Sequence, residues 1–402
     1  MRIFSYSNQN EIKKIMHDIG VDPYGSKIML PKALNFLILL KEVNNIAANI
    51  LKQEMLSLGG DAAIARDALT GKIKKTDILI ISTFDQLSSL KDKLKHQPFG
   101  LRKISEDLEE RIKNYNKDNF ILVLKKCTLN LSKRTHIMGI INSTCDSFSQ
   151  DGLYRKGSNN YIDLALKKAQ KMAFDGADII DVGGQSSRPG AKNISVKEEL
   201  LRVVPVIKLL TSKINLPISI DTFKPEVAKA ALDAGAQIIN DISGLRNKYM
   251  IKLAAKYKAA VVIMHMLGKP INMQKIISYQ FLIDDIIVYL KNAIDSALSL
   301  GILPNKIIID PGIGFGKNPM HNLQIIKRLS DFKVLGKPIL IGPSRKSFIA
   351  SVLGDNLENR VIGTLTSCLV ALQNGANIVR VHDVKEVKAS LKMFEGIKNA
   401  DK

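Results

Sequence analysis

The sequence predicts an α/β protein, a (β/α)8 TIM barrel behind a small N-terminal α/β domain. Three observations carry this. After His136, eight short β-branched apolar runs each end in polar or glycine-rich residues. Amphipathic stretches at helical spacing lie between them. The pairs Gly176-Ala177, Gly235-Ala236 and Gly375-Ala376 repeat one punctuation, a Gly where a helix stops and an Ala where the next strand begins.

In chain order the strands are expected at 136–142 (HIMGIIN), 177–183 (ADIIDVG), 217–222 (PISIDT), 237–243 (QIINDIS), 260–265 (AVVIMH), 306–311 (KIIIDP), 338–343 (PILIGP) and 377–383 (NIVRVHD). Between the first two, Ile162, Ala165, Leu166, Ala169, Met172 and Ala173 fall on one helical face. Strands apolar on both faces and separated by helices mean a covered parallel sheet. Eight near-equal units over about 265 residues match the size of a (β/α)8 barrel better than a doubly wound sheet.

Residues 1–128 do not continue the repeat. They read as a strand at 2–7 and a helix at 10–18. A largely helical stretch follows from Pro31 to Ala68, broken at Gly59-Gly60. A strand at 77–83, helices at 85–95 and 104–115 and a strand at 119–126 complete a small α/β domain. Polar segments at 114–119 and 130–135 flank that last strand and put the boundary near 130, with residues 129–402 forming the barrel domain. Gly59-Gly60-Asp61 reads as an ordinary helix stop and restart more than as an anion-binding helix N-terminus.

Composition narrows the function classes. The 402 residues are 46% hydrophobic and 24% charged, which excludes disordered and collagenous chains. No apolar run is long enough to span a bilayer, and the first residues lack a signal-peptide block, so no membrane partner and no export are expected. Three unclustered cysteines fit a reduced, cytoplasmic protein. The formal charge of +21 suggests nucleic acid or an anionic substrate. The excess is spread along the chain, Lys outnumbers Arg by 46 to 13, and aromatics are only 5%. A Lys-rich solvated surface therefore reads better than a nucleic-acid interface.

In such a barrel the active site lies at the C-terminal strand ends. These carry Asn142, the 183–189 loop, Asp221, Asn240, Met264 and His265, Asp310, the 342–347 loop, and Arg380 with His382. Asp221, Asn240 and Asp310 suit a flat heterocycle bearing several N–H groups, since a carboxylate accepts two parallel bonds. Each could instead be a helix cap or turn residue. Lys346, Arg380 and His382 follow strands seven and eight, where barrels commonly bind phosphate. Arg188 could close over that group, and Arg380 could alternatively pair with Asp383 or a neighbouring acid. The segment GIGFGK (312–317) is one residue short of a P-loop and has Asn318 in place of the magnesium-binding Ser or Thr.

The segments IMGIINSTCDSFSQDG (137–152), GADIIDVGGQSSRPGA (176–191), ISIDTFKPEVAKAALDAGAQIINDISG (218–244), MHMLGKPINMQ (264–274), IIDPGIGFGK (308–317), IGPSRKSFIA (341–350) and RVHDV (380–384) closely resemble dihydropteroate synthase. Residues 48–72 resemble the N-terminal extension of a long form of that enzyme. The resemblance implies condensation of 6-hydroxymethyl-7,8-dihydropterin diphosphate with 4-aminobenzoate, giving 7,8-dihydropteroate and diphosphate, by a sulfonamide-sensitive, Mg²⁺-dependent homodimer. It implies a pterin site of Asp221, Asn240, Ile242, Met264, Asp310, Phe315, Gly342 and Lys346. Asn142 would ligate Mg²⁺ beside a diphosphate clamped by Ser187, Arg380 and His382. Phe148, Ser187, Arg188, Pro189, Lys346 and Ser347 would hold 4-aminobenzoate. Lys346, Arg380, Asp221 and Arg188 would carry catalysis.

The sequence departs from the usual pattern at Ser143-Thr144-Cys145, where Val-Thr-Pro is common, and at Gln185 and Ser187, where Glu and Thr are usual. These departures bear on the loops and the aminobenzoate side. The rival readings are a pterin-binding methyltransferase barrel, which has no diphosphate to hold with the cationic set after strands seven and eight, and a catalytically inactive pterin-binding or regulatory protein, to which the extra domain and altered loops point.

Overall fold

The computed structural model describes residues 1, 9–144, 152–154, 160–186, 193–268, 273 and 277–400. The chain divides into two compact units, Met1–Lys113 and Asn114–Lys402. The strand expected at 2–7 lies outside the described residues.

The first unit is a three-stranded antiparallel sheet of β1 (Asn35–Asn44), β2 (Asp61–Ile64) and β3 (Lys75–Thr83), in the order β1-β3-β2. Helices 45–57 and 84–94 bury Ala48, Leu51, Met55, Leu87, Leu90 and Leu94 against Ile78 and Ile80. The second of these helices opens with a capping box between Thr83 and Gln86. The helical reading of Pro31–Ala68 is corrected at 35–44 and 61–64, which are strands. Phe36, Ile38 and Leu40 turn toward the core while Leu37 and Leu39 stay exposed. That alternation has the period of two of a strand, hidden in a nearly continuous apolar run. Gly59-Gly60 stops a helix, but a strand follows, so no helix N-terminus is formed there.

The second unit begins with a hairpin of β4 (Ile121–Val123) and β5 (Thr128–Asn130). Leu122, Leu124 and Leu131 pack with Met138, Ile179, Ile238, Ala260, Val262, Ile308, Leu340 and Ile378. Those residues lie near the starts of the barrel strands, so the hairpin plugs the N-terminal end of the barrel. The segment at 119–126 thus packs with the barrel, and the compact units separate at 113/114, ahead of the break expected at 128/129. Leucine burial inside the barrel outweighs the polar residues around the hairpin.

All eight expected barrel strands form: β6 (His136–Asn142), β7 (Ile179–Gly183), β8 (Ile218–Asp221), β9 (Ile238–Asp241), β10 (Ala260–Met264), β11 (Ile307–Asp310), β12 (Leu340–Ile341) and β13 (Ile378–Val381). They are parallel, in the order β11-β10-β9-β8-β7-β6-β13-β12. A parallel bridge between Ile309 and Ile339, just ahead of β12, closes the ring. The three glycines of the repeated punctuation have φ of 103°, 106° and 99°. After each, the alanine N–H donates to the carbonyl five residues back (Ala177 to Met172, Ala236 to Ala231, Ala376 to Ala371), the bond of a Schellman stop. The face expected on helix 160–175 buries Ala165, Ala169 and Met172. No helix of the described residues is long and apolar enough to cross a membrane.

Candidate functional site

Register puts the polar strand ends on neighbouring rungs. Asn142 pairs with Gly183, Gly183 with Asp221, and Asp221 with Asn240. Met264 pairs with Asp310 across the ring. Parallel strands ending at one level therefore project these side chains into a single mouth.

Asp221 and Asn240 are not helix caps. The helix after β8 is capped by Lys224 with no side-chain bond, and Asn240 Nδ2 donates to Asp181 Oδ2 at 3.1 Å. Asp310 does serve its turn, accepting from the Gly312 N–H at 2.7 Å, while burial raises its carboxyl above the ordinary range. Arg380 points inward. Its Nε donates to Asp181 Oδ2 at 2.7 Å and its Nη2 to Asp221 Oδ2 at 2.7 Å. Of the alternative partners, Asp383 is closed because it is taken by Arg345, while the pair with a neighbouring acid does form, with Asp181 and Asp221. Burial among Asp181, Glu199 and Asp241 raises the Asp221 carboxyl, with Arg380 opposing.

Asp181 is the residue the sequence reading passed over. It is fully buried in the middle of β7 and holds both Asn240 and Arg380 through Oδ2, while its Oδ1 has no hydrogen-bond partner. A charged residue in IIDVG, a strand with both faces covered, was the available signal, since burying an unpaired carboxylate is costly.

The 312–317 loop builds the opposite wall. A Cβ on Gly312, at φ 74°, would sit 1.9 Å from the His265 carbonyl oxygen, so only glycine fits there. A Cβ on Gly314, at φ 81°, would meet Lys346 Cδ at 2.9 Å. The Lys346 ammonium lies 4.3 Å from the Phe315 ring centroid and donates to the Ile313 carbonyl. Burial pushes that ammonium down to about 8, against the pull of Asp310. Lys317 is no phosphate ligand. It is 2% exposed, and its Nζ lies 2.9 Å from His265 Nδ1 and 3.0 Å from the Phe315 carbonyl. Burial and Lys317 push His265 down to about 2, so that imidazole is neutral.

Ile242, Met264 and Phe315 form one apolar cluster, which the structure extends with Met266, Met273 and Phe223. Gly342 follows β12, where a Cβ would stand 3.7 Å from Arg380 Cβ. His382 Nδ1 is 3.0 Å from Ser344 Oγ, which fixes the ring at the end of β13. Ser347 opens helix 347–353 on the exposed side. Asn142 ends β6 half-buried, and no side chain among the described residues engages its carboxamide. Phe148, Ser187, Arg188 and Pro189 lie outside the described residues, as does Cys145.

This barrel mouth, in which acids, an amide and an apolar cluster are interleaved with Lys346 and Arg380, and His382 follows the last strand, defines a pterin-binding enzyme. The family model described as "Pterin binding enzyme" matches residues 138–382. The chain belongs to that family and, within it, to the dihydropteroate synthases, transferases that act on 4-aminobenzoate. It is 44% identical over 267 residues to the "Dihydropteroate synthase" of Synechocystis sp., covering 66% of this chain and 91% of that one. The structure of Yersinia pestis dihydropteroate synthase with a sulfonamide drug complex superposes with a TM-score of 0.65 at 40% identity, covering 70% of this chain and all of that one. A "Probable bifunctional folylpolyglutamate synthase/dihydropteroate synthase" of Haloferax volcanii is 36% identical over 361 residues, 86% of this chain and 41% of that one. The barrel unit is less than three quarters of the chain, so that last similarity reaches into the first unit.

Proposed function

We propose that the protein joins 6-hydroxymethyl-7,8-dihydropterin diphosphate to 4-aminobenzoate by loss of diphosphate before attack. The observation that carries the proposal is the Arg380 guanidinium, set between Asp181 and Asp221 at 2.7 Å each. Asp221 and Asp310 accept the N–H edge of the pterin, Asn240 and Lys346 hold its remaining polar atoms, and the Ile242–Met264–Phe315 cluster covers its face beside Gly342. As the pterin engages Asp221, Arg380 Nη2 is released toward the diphosphate while Nε stays on Asp181. His382, Arg380 and Ser187 hold the diphosphate, and Phe148, Ser187, Arg188, Pro189, Lys346 and Ser347 shape the aminobenzoate pocket.

The bond between the pterin methylene carbon and the diphosphate oxygen breaks, and its electron pair leaves with the diphosphate. Arg380 and His382 stabilise the charge that develops there, in a partly buried site where such contacts are strong. The dihydropterin ring delocalises the methylene cation. The aniline nitrogen lone pair then attacks that carbon and the nitrogen gives up its proton.

The Asn142 carboxamide suits a magnesium ion, a hard cation that takes oxygen ligands and leans on phosphate oxygens and water more than on protein cages. Among the described residues no three His, Cys, Asp or Glu side chains gather as a cage, so Asn142 would hold the ion together with the diphosphate. Bound there, Mg²⁺ supplies neutralisation of the leaving group's charge.

Replacing Lys346 or Arg380 by Ala is expected to lower turnover by about 10²–10³, the usual cost of removing one such electrostatic donor. Near-wild-type turnover by both purified variants would overturn the proposal. We further propose a homodimer working in the cytoplasm. Cys127 and Cys368 are free thiols, and burial pushes Cys368 up to about 12. Sedimentation that finds only monomer at micromolar concentration contradicts the dimer.

A further inference from the structure

Lys224 belongs to neither substrate set, yet it sits at a junction. Its ammonium is 2.7 Å from Gln185 Oε1, 2.7 Å from the Ile194 carbonyl oxygen and 2.6 Å from Glu199 Oε2. An ammonium has three N–H donors, so these three acceptors use all of them. Gln185 and Ile194 are the two stems of the segment 187–192. Gln185 also links the stems directly, because its Nε2 donates to Asn193 Oδ1 at 3.0 Å and its Oε1 accepts from the Ile194 N–H at 3.4 Å. A carboxylate at 185 would keep the acceptor and lose that donor.

The junction is anchored below. Glu199 has a side chain only 1% exposed and accepts at 2.8 Å from Thr222 Oγ1, one residue past Asp221. Arg202, from the same helix as Glu199, donates to the Gly184 carbonyl at 3.0 Å. Gly184 lies so close to that helix that a Cβ there would be 2.6 Å from Val203 Cγ1. Both stems are therefore fixed to the end of β8, beside the carboxylate given to the pterin.

We infer that Lys224 is the positioning residue for the aminobenzoate side of the reaction, joining both stems of 187–192 to the buried Glu199. The inference rests on the proposed function, in that Ser187, Arg188 and Pro189 are the residues given to aminobenzoate. Lys224 touches no substrate. It acts by holding the segment's two ends in register with Asp221, and small misplacements of positioning groups are costly.

Three variants test it. Gln185→Ala cuts the link between the stems and keeps the Lys224–Glu199 pair, so the fold is retained. Lys224→Met removes the junction, and Lys224→Arg keeps its charge. We expect KM for 4-aminobenzoate to rise about fivefold in Gln185→Ala and at least about tenfold in Lys224→Met, with kcat and the calorimetric Kd for the pterin diphosphate within about twofold. Lys224→Arg recovers part of the loss. Tryptic cleavage after Lys192, which needs no turnover, speeds at least about threefold in Gln185→Ala and in Lys224→Met. Unchanged KM together with unchanged cleavage in the folded variants overturns the inference. If the wild-type protein shows no aminobenzoate-dependent turnover, the proposed function fails while the cleavage rates still decide the role of Lys224.

Discussion

Asp181→Asn is the sharpest perturbation of the barrel mouth. The substitution keeps the volume of the side chain and removes its charge. Oδ2 accepts two bonds, from Arg380 Nε at 2.7 Å and Asn240 Nδ2 at 3.1 Å, whereas Oδ1 has no partner. The amide oxygen therefore takes the Oδ2 position, and the amide nitrogen is left buried without an acceptor. What is lost is the charge assistance on the Arg380 bond, about 1.5–3 kcal/mol for a bond to a charged group. Because Arg380 and Asn240 serve the two halves of the same substrate, this loss falls on the transition state. At 1.36 kcal/mol per tenfold it corresponds to a fall of roughly 10–150-fold in kcat/KM for the pterin diphosphate. The assay is diphosphate release at saturating 4-aminobenzoate, with a thermal melt on the same sample to establish a cooperative fold. A folded Asp181→Asn protein within about threefold of wild type would refute the anchoring role given to this residue.

The depressed Lys346 ammonium, at about 8, gives a pH dependence with a definite sign. The group donates only when protonated, so kcat/KM falls about tenfold per pH unit above that value. Lys346→Arg, which stays charged, moves this limb upward, and an unmoved limb assigns it elsewhere. Leu122 is 1% exposed inside the barrel base, and Leu122→Ala is expected to cost about 2–5 kcal/mol, read as a shift in denaturant midpoint. Deleting residues 1–113 leaves the hairpin in place and should yield a soluble barrel, whereas a cut after residue 128 removes Leu122 and Leu124 and should yield aggregated protein. Equal solubility of the two truncations contradicts the plug.

Most of the barrel was legible because its signals are local. Helix stops at Gly176, Gly235 and Gly375, and strand runs covered on both faces, name their own structure. The rim followed from the same register, since β6, β8, β10 and β11 end on Asn142, Asp221, Met264 and Asp310, and Asn240, Gly342, Arg380 and His382 lie within one residue of their strand ends. The strand at 35–44 was not legible, because Leu37 and Leu39 complete an apolar run whose outward half is exposed only in the folded sheet. The hairpin was misplaced for a related reason. Leu122 and Leu131 find their partners far along the chain, and no local pattern announces a plug. Asp181 and Lys224 escaped because they bind other side chains, and such networks appear only when β7, β8, β9 and β13 are brought together. The reach of Arg380 to Asp181 and Asp221 is of the same kind: its position was readable, its partners were not.

The central claim is that this mouth releases diphosphate from the pterin and delivers the cation to an aromatic amine. It is tested most directly by following diphosphate release from purified protein with Mg²⁺ and the pterin diphosphate, with and without 4-aminobenzoate. The account predicts release that depends on added 4-aminobenzoate, matched mole for mole by 7,8-dihydropteroate and suppressed competitively by a sulfonamide. Release unaffected by 4-aminobenzoate, or none with both substrates present, would contradict it.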